Sequence, residues 1–343
     1  MNLTQLAEKY NTREKCIDQI VRVKWGEKPV CLHCSAKNLT RRKDLITWHC
    51  NTCNKDSSVL ADTIFERSHL PLPKWFQLIF LMLNAKKGIS AMQIHRDIGV
   101  TYKTAWYSAM RVRCSMLDWG EMLEGIVEMD ETYVGGKPRK RNHPTADNTA
   151  DLANVFPKDD FRIKRGRGTK KVPVGAIVER KGRVVAKVMK GATSKDLMSL
   201  LKKTVKLKDT TLMTDDWGAY KKMDALIEHF VVKHSAKEYA RGAVHTNTIE
   251  GFFSILKNGI KGQYHVISKK YLPFHLAEYC YRYNRRQLTV SGSFNETIAN
   301  AASDPKCFTN YKPKGDVKSI VYPSRKKKKA KTKGASGSIA GVF

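Results

Sequence analysis

Three acidic side chains lie in apolar stretches of the sequence and have the chemistry to hold divalent metal ions. Asp130 stands in the middle of the run 126–134, Asp215 closes the run 211–215, and Glu250 follows further along the chain. Magnesium prefers carboxylate oxygens. Two such ions about 3.5–4 Å apart activate the attacking oxygen and stabilise the leaving oxygen in phosphodiester cleavage. Most single Asp and Glu residues are solvated or cap a helix, so this prediction depends on the three acids together.

The neighbours of these acids are placed by the periodicity of strands and helices. Alternate side chains of a strand share a face, so Glu128 lies on the face of Asp130 and Glu131 on the opposite one. Asn247 and Glu250 are three residues apart, which puts both on one face of a helix.

Two CxxC pairs, Cys31 with Cys34 and Cys50 with Cys53, have the spacing of zinc ligands. Structural zinc takes four ligands in a tetrahedron, and two tight CxxC turns complete that shell. A redox pair is the alternative, but the second CxxC at this distance makes it improbable. His33 is another possible ligand, which is disfavoured because four cysteines suffice. We therefore predict a structural zinc site in a zinc ribbon.

The hydrophobic pattern predicts which helices and strands contain these residues. Residues 74–120 have apolar stripes with a break at Lys87 and Gly88, which predicts helices. From about residue 125 to 235 the chain has short β-rich runs around one helical stretch, 194–205, and it is helical again after His245 to about Gln287. This order predicts a mixed sheet with helices packed on it, an α/β fold.

A helix-turn-helix is predicted between residues 88 and 111. Ser90 and Thr101 are good N-caps, and Gly99 sits at the turn, where a positive φ is needed. The second helix would expose four side chains to a major groove, namely Tyr102, Lys103, Ser108 and Arg111. A helical hairpin without a DNA function gives the same pattern, but the charge and the cysteine pairs favour DNA binding.

The charge of the chain indicates a polyanionic partner. Lys and Arg number 63 against 32 Asp and Glu, a formal net charge of +31. Nucleic acid is the first candidate partner and an anionic membrane surface the second. The sequence has no run of 18 apolar residues and no apolar stretch of a signal peptide at its N-terminus, so we expect an intracellular, cytoplasmic protein. The basic tail from Ser324 has low complexity and is expected to be disordered.

The chain resembles the DDE-type transposases of bacterial insertion sequences, in particular a zinc-ribbon group related to Mutator-like transposases. The resemblance covers roughly residues 20 to 290 and is carried by the segments CLHC…CNTC, SHLPLPKWF, KKGISAMQIHRDIGVTYKTAW, MDETYVGGK, RGRGTKKVPVGAIVER, TDDWGAY and HTNTIEGFFSILKNGIKGQYH. It implies an RNase H-like catalytic domain and a bacterial, nucleoid-associated protein.

The resemblance also assigns roles to the acids. It carries the first two metal-binding positions onto Asp130 and Asp215. The third position can be Asn or Glu followed by a Lys, so Asn247 and Glu250 are both candidates and Lys257 is the basic companion. An Asn coordinates more weakly than a carboxylate, which favours Glu250 on chemical grounds. The expected catalytic cofactor is Mg²⁺ or Mn²⁺, and the expected reactions are hydrolysis at the element's end and attack of the freed 3′-OH on target DNA.

These inferences predict the following domains: a zinc-ribbon region (1–60), a helix-turn-helix domain (61–122), an RNase H-like domain (123–290) with a basic insertion (137–171), and a basic C-terminal region (291–343). The expected partners are double-stranded DNA and further copies of the chain, with no membrane. Basic residues of the insertion are expected to line the DNA path: Arg162, Lys164, Arg165, Arg167, Lys170 and Lys171. His234, His245 and His265 are expected to be structural or to contact DNA, since two-metal chemistry needs no histidine base.

Three other functions remain possible from the sequence. A DNA-binding regulator would use only the ribbon and the helix-turn-helix, and would leave the three acids without a common purpose. An inactive transposase relic is the second alternative, although all the acids and all four cysteines are in place. An RNA-cleaving enzyme of the RNase H type is the third, which the DNA-binding half disfavours.

Overall fold

The computed structural model of the chain describes residues 1–26, 29–117, 120–135, 169, 171–232, 240–242 and 244–303. None of the helices in these residues is long and apolar enough to span a membrane.

The N-terminal part begins with two capped helices and a small sheet. Helix α1 (Leu3–Lys9) and helix α2 (Arg13–Trp25) start at Asn2 and Thr12, whose side chains accept backbone N–H groups. Strands β1 (Leu39–Arg41), β2 (Thr47–Cys50) and β3 (Asp56–Ser58) form an antiparallel sheet in the order β1-β2-β3.

The helical pattern that follows gives three helices, α3 (Leu72–Asn84), α4 (Ala91–Ile98) and α5 (Tyr102–Ser115). Ser90 and Thr101 cap α4 and α5 as predicted, and Gly99 between them is left-handed with φ +59°. A residue with a Cβ atom would be strained in this left-handed conformation, which explains why the turn has a glycine. The predicted pair of helices is therefore present, joined by a tight turn.

The prediction that Ser108 and Arg111 are exposed is wrong. Each side chain is only 2% accessible. The Arg111 guanidinium donates to the carbonyl of Glu66 at 2.7 Å and lies 5.5 Å from the ring centres of Trp75 and Tyr107. Other elements pack around most of helix α5, so the polar residues along its sequence do not form an exposed face.

A five-stranded mixed sheet forms the second part of the molecule, in the order β6-β5-β4-β7-β8. Its members are β4 (Leu123–Val134), β5 (Val172–Glu179), β6 (Val184–Val188), β7 (Val205–Asp215) and β8 (Glu228–Val232). β4, β5 and β6 are antiparallel neighbours, whereas β7 and β8 run parallel to β4. The mixed α/β architecture agrees with the prediction from the sequence.

Helices cover both faces of this sheet. Helix α6 (Ser194–Thr204) buries Leu197, Leu200 and Leu201 against one face. Helix α7 (Asn247–Gly259), a π-helical turn (Ile260–Tyr264) and helix α8 (Leu272–Asn284) cover the other face. The two faces use alternate residues of β4, so Val127 and Met129 point to α6 and Val134 to α7 and α8.

The last described helix, α9 (Val290–Ser303), returns to the N-terminal part of the molecule. Its Phe294 and Ile298 are completely buried in the same core as Ile17 of α2 and Phe76 of α3. The amide of Ile64 also donates to the carbonyl of Ala301 at 3.0 Å. The sequence predicted only a basic C-terminal region from residue 291, and the low-complexity tail lies outside the described residues.

Candidate functional site

Asp130 and Asp215 lie on adjacent parallel strands. The register of β4 against β7 pairs Ile126 with Thr211 and Glu128 with Met213. Strand β7 ends two residues later, at Asp215, and β4 continues beyond Asp130. Extended by two residues, the same register places Asp130 opposite Asp215 and on the same face. Neighbouring strands are about 4.8 Å apart, a separation that two carboxylates can bridge through one ion.

The surroundings of Asp130 are acidic and partly buried. Burial, reinforced by the negative charges of Glu131, Asp215 and Glu250, raises the pKa of Asp130 to about 7. The amide of Glu131 donates to Asp130 Oδ1 at 2.7 Å and opposes this shift. Because Asp215 and Glu250 both act on Asp130, the structure brings the three acids from distant segments into one electrostatic neighbourhood.

A fully buried carboxylate, Glu128, fixes helix α7 to β4 two residues before Asp130. Glu128 Oε2 accepts the amide of Ile249 at 3.0 Å, and its Oε1 accepts the Thr248 hydroxyl at 2.9 Å. The side chain of the N-cap residue, Thr246, makes no capping hydrogen bond. Glu128 therefore satisfies a free N–H group at the start of α7, where the helix dipole also favours a negative charge.

Two further residues complete the environment of Glu128. Arg180 donates its Nε to Glu128 Oε1 at 2.7 Å and its Nη2 to the carbonyl of His245 at 2.8 Å. The Nδ1 of His245 lies 3.3 Å from the same carboxylate. Burying a carboxylate without such partners would be costly. His245 thus has a structural place, as expected, whereas His234 lies outside the described residues.

Helix α7 presents one exposed stripe beside the aspartates. Asn247, Glu250 and Lys257 are exposed, while Ile249, Phe252, Phe253 and Leu256 are buried against the sheet. Glu250 Oε1 accepts the hydroxyl of Thr246 at 3.2 Å. The Lys257 ammonium lies 5.8 Å from the centre of the Phe253 ring.

Glu131 points to the opposite face of the sheet, as strand alternation predicts. Its Oε2 accepts the hydroxyl of buried Tyr220 at 2.7 Å. Tyr220 lies just after the end of β7, and the amide of Trp217 in the same turn donates to Asp215 Oδ1 at 3.2 Å. These bonds tie the turn after β7 to β4, so they help to hold Asp215 beside Asp130.

The four predicted zinc ligands converge tightly. The Sγ atoms of Cys31, Cys34, Cys50 and Cys53 all lie within 4.8 Å of one another. Cys31 and Cys53 are 3.7 Å apart, and Cys34 and Cys50 are 3.6 Å apart. A tetrahedron with Zn–S bonds of about 2.3 Å has edges of about 3.8 Å, so these distances fit a zinc ion.

The two cysteine turns have the same backbone geometry. Ser35 and Asn54, one residue after each pair, have positive φ of 62° and 55°. Their amides donate to the carbonyls of Cys31 and Cys50 at 3.0 and 2.9 Å. Amides within each turn also point at the first sulfur: the amide of Cys34 leads in lowering the pKa of the Cys31 thiol to about 6. The first cysteine of each turn, Cys31 or Cys50, thus favours the thiolate that binds metal, whereas burial and the neighbouring sulfurs raise the pKa of Cys34 and Cys53.

Among the described residues, these cysteines are the only group of three or more His, Cys, Asp or Glu side chains whose ligand atoms converge within 4.8 Å. The carboxylates of Asp130, Asp215 and Glu250 are therefore near one another but more widely spaced than that. His33 stands outside the cysteine group, and its Nε2 lies 3.4 Å from the carbonyl of Asp56.

Apart from buried Ser108 and Arg111, the predicted DNA-contacting residues fall into three groups. Tyr102, at the start of α5, is 52% exposed, and Lys103 beside it is exposed. Lys171 lies at the edge of the sheet, next to Gly135. The other five predicted residues of the basic insertion lie outside the described residues: Arg162, Lys164, Arg165, Arg167 and Lys170.

Two buried charged groups were missed from the sequence. One is Arg180 with Glu128. The other joins α5 to α8: Arg113 Nε donates to Glu278 Oε2 at 2.6 Å, and Arg282 binds the other oxygen of Glu278. Glu128 with Arg180 and Arg113 with Glu278 are too far apart in sequence to leave a periodic signal. The i,i+4 spacing of Glu278 and Arg282 is the one hint that the sequence offers.

Residues 122–284 match the ISXO2-like transposase domain. An uncharacterized protein in the transposable element ISH50 of Halobacterium salinarum is 26% identical over 274 residues, which cover 77% of this chain and 88% of that protein. A solved structure, of a pre-cleavage Mos1 transpososome, is 12% identical and covers 66% of this chain and 78% of its own, with a TM-score of 0.25.

Proposed function

We propose that this chain is a transposase that binds the ends of a mobile element, cuts them and joins them to target DNA. The match of residues 122–284 confirms the prediction of a transposase. The observation that carries the catalytic part of the proposal is the level placement of Asp130 and Asp215 on adjacent strands, with Glu250 acting on Asp130. The five-stranded mixed sheet with helices on both faces supports an RNase H-like catalytic domain, and the relation to Mutator-like transposases of bacteria remains a prediction.

Asp130, Asp215 and Glu250 are the proposed ligands of Mg²⁺ or Mn²⁺. When bound, such ions would activate the attacking oxygen and stabilise the leaving oxygen. Hard carboxylate oxygens on rigid strands suit these ions. A carboxylate oxygen coordinates these hard ions more strongly than an amide oxygen does, which favours Glu250 over Asn247 as the third ligand. Exposed Lys257, on the same helix, is proposed to contact a DNA phosphate.

The cysteine group is proposed to hold a structural zinc ion. Four sulfurs with the edge lengths of a tetrahedron leave no position open for substrate. We expect about one zinc per chain by elemental analysis, and loss of that zinc in Cys34→Ser. Full zinc retention by this variant would refute the assignment.

Element ends are proposed to be read by α4 and α5, with Tyr102 and Lys103 at the DNA. Helix α5 has both residues at its exposed first turn, where a recognition helix makes its base contacts. Lys171 and the basic insertion are proposed to follow the DNA backbone, and several copies of the chain are expected to act together.

The catalytic proposal is tested by separating binding from cleavage. The probe is duplex DNA that flanks the coding sequence of this chain, assayed with Mn²⁺. We expect Asp130→Asn and Asp215→Asn to bind this DNA as wild type does and to lose strand cleavage by at least 100-fold. Asp209→Asn is the matched control, because Asp209 is an exposed residue of the same strand with φ +59°, which Asn tolerates.

A second comparison decides the third ligand. Glu250→Gln should abolish cleavage, whereas Asn247→Ala should reduce it less; the reverse order would assign the role to Asn247. Wild-type protein that binds the DNA and cleaves none of it would instead indicate a regulator or an inactive relic.

A further inference from the structure

A groove lined with lysines lies between helix α6 and the turn at Lys221–Met223. Its volume is about 410 Å³. Its lining includes Lys195, Met198, Ser199, Lys202 and Lys203 from α6 and Lys222 from the turn. All four lysines are exposed, and no carboxylate is among the lining residues.

The sequence of α6 explains why these lysines converge. Leu197, Leu200, Leu201 and Thr204 form its buried face. Residues 195, 198, 199, 202 and 203 follow the helical spacing of i, i+3, i+4, i+7 and i+8, so they share the opposite face. The acid within the helix, Asp196, accepts the hydroxyl of the N-cap Thr193 at 2.7 Å, so it is engaged at the cap rather than in the groove.

Helix stability does not account for the whole set. Lys202 and Lys203 lie in the last turn, where a cation interacts favourably with the helix dipole. Lys195 lies in the first turn, where the same dipole disfavours a cation. Lys222 belongs to a different element and still faces the groove. Beneath the helix, burial is the main cause that lowers the pKa of Lys187 on β6 to about 8, and the charge of Lys203 adds to it.

The groove is on the far side of the sheet from the proposed catalytic acids. Helix α6 covers the face of Val127 and Met129, whereas Asp130 and Asp215 share the face of α7. A ligand in the groove is therefore separate from a strand held at Asp130. Four ammonium groups without carboxylates suit a phosphate backbone, and two copies of the same groove would repel each other.

We propose that this lysine groove binds the phosphate backbone of a DNA duplex distinct from the strand cut at Asp130 and Asp215, an inference that rests on the transposase function above. Lysine and serine side chains contact phosphates without reading bases, so this binding is independent of sequence. The duplex that meets this description is target DNA or DNA beyond the cut.

The test uses the full chain with Lys195→Gln, Lys202→Gln and Lys222→Gln combined. The matched control combines Lys9→Gln, Lys15→Gln and Lys181→Gln, three exposed lysines of other elements. Affinity for a random-sequence 30-base-pair duplex is measured across a range of salt concentrations. Each lost phosphate contact flattens the slope of log affinity against log salt by about 0.9. We expect a change of about two to three for the groove variant and less than one for the control.

Equal slopes in the two variants would overturn the proposal. It would also be overturned if the groove variant kept its DNA affinity but no longer bound a poly-glutamate probe, because the groove would then bind an acidic polypeptide instead of DNA. The groove variant should still cleave element ends, whereas Asp130→Asn should still bind random DNA with the wild-type slope. If wild-type protein cleaves nothing, the transposase mechanism fails, and the salt slopes still decide whether the groove binds DNA.

Discussion

The partly buried carboxyl of Asp130 carries an energetic cost. Its pKa of about 7 lies above the ordinary value of 3.8, because of burial and then of neighbouring acids. The unfolded chain releases this proton near pH 4, whereas the folded chain keeps it to about pH 7. The free energy of unfolding therefore falls as pH rises from about 4 to about 7, and above pH 7 the full destabilisation by Asp130 is present. Such a cost is typical of a functional site rather than of a structural one.

We predict that Asp130→Asn stabilises the metal-free protein at pH 8. Asn fills the same space without the charge, so the free energy of unfolding should rise by about 2–4 kcal/mol. The advantage should disappear at pH 4, where wild-type Asp130 is protonated in the folded state. Urea unfolding in EDTA at both pH values measures it, and equal stability at pH 8 would contradict the assigned environment.

Glu128 acts on the site through helix α7. Glu128→Gln keeps the size of the side chain but turns an N–H donor toward groups that themselves donate, namely Arg180, Thr248 and the amide of Ile249. We predict that the start of α7 shifts, and that the Mn²⁺ concentration needed for half-maximal cleavage rises about 10-fold to 100-fold, as when outer partners of metal ligands are removed.

The control for Glu128 is Glu124→Gln, an exposed residue of the same strand that pairs with Lys206. It should leave the Mn²⁺ requirement unchanged. Mn²⁺ binding followed by electron paramagnetic resonance gives a readout without activity. If Glu128→Gln lowered only thermal stability and left Mn²⁺ binding intact, Glu128 would be structural and not a positioning residue.

Between elements, a buried ion cluster of α5 and α8 links the helix pair to the part of the molecule that holds the five-stranded sheet. The side chains of Arg113 and Glu278 are 4% and 0% exposed. Burial opposes the ionisation of Glu278, but Arg113 and Arg282 outweigh it and lower its pKa to about 2. In the same region Tyr279 donates to the carbonyl of Lys87 at 2.7 Å. Helix α5, the proposed DNA-contacting helix, is thereby connected to the helices that cover the face of Asp130.

We predict that Glu278→Gln lowers the free energy of unfolding by about 3–5 kcal/mol at pH 7, because it leaves two buried guanidinium groups without their counter-charge. Glu278 has a lowered pKa, so its stabilisation is present above about pH 4.5 and is lost as pH falls toward 2. The gap between wild type and variant should thus be constant from pH 7 to 5 and close below that. Chemical denaturation across this range measures it; a gap that persists at pH 2 would exclude the ion pair as its cause.

Elements with a strong local pattern were predictable, and those made by distant contacts were not. The runs around Asp130 and Asp215 have strand periodicity, and Ser90, Gly99 and Thr101 mark the helix ends chemically. The burial of Arg111 could not be foreseen, because its carbonyl partner at Glu66 is 45 residues away. Likewise, which acids meet depends on strand register, which no single segment encodes.

At the scale of the whole molecule, the two ends of the described chain pack together. Helix α9 was missed because its sequence, VSGSFNETIANAAS, has few large apolar residues and gains its stability from packing. Phe294 lies 5.6 Å from the ring of Phe76 and 5.9 Å from that of Tyr10. The N-terminal helical core is therefore incomplete until the C-terminal segment has been made.

Two truncations should separate this packing from the basic tail. A chain ending at residue 289 lacks Phe294 and Ile298, both completely buried, and should leave the N-terminal helices unfolded or aggregated. A chain ending at 323 lacks the basic tail that the sequence predicts to be disordered. We therefore expect unchanged stability and a shallower salt dependence of its DNA binding. Phe294→Ala in the full chain tests the core directly, with an expected loss of about 3–5 kcal/mol. Urea unfolding compares all three, and a stable, DNA-binding chain ending at 289 would show that α9 does not complete this core.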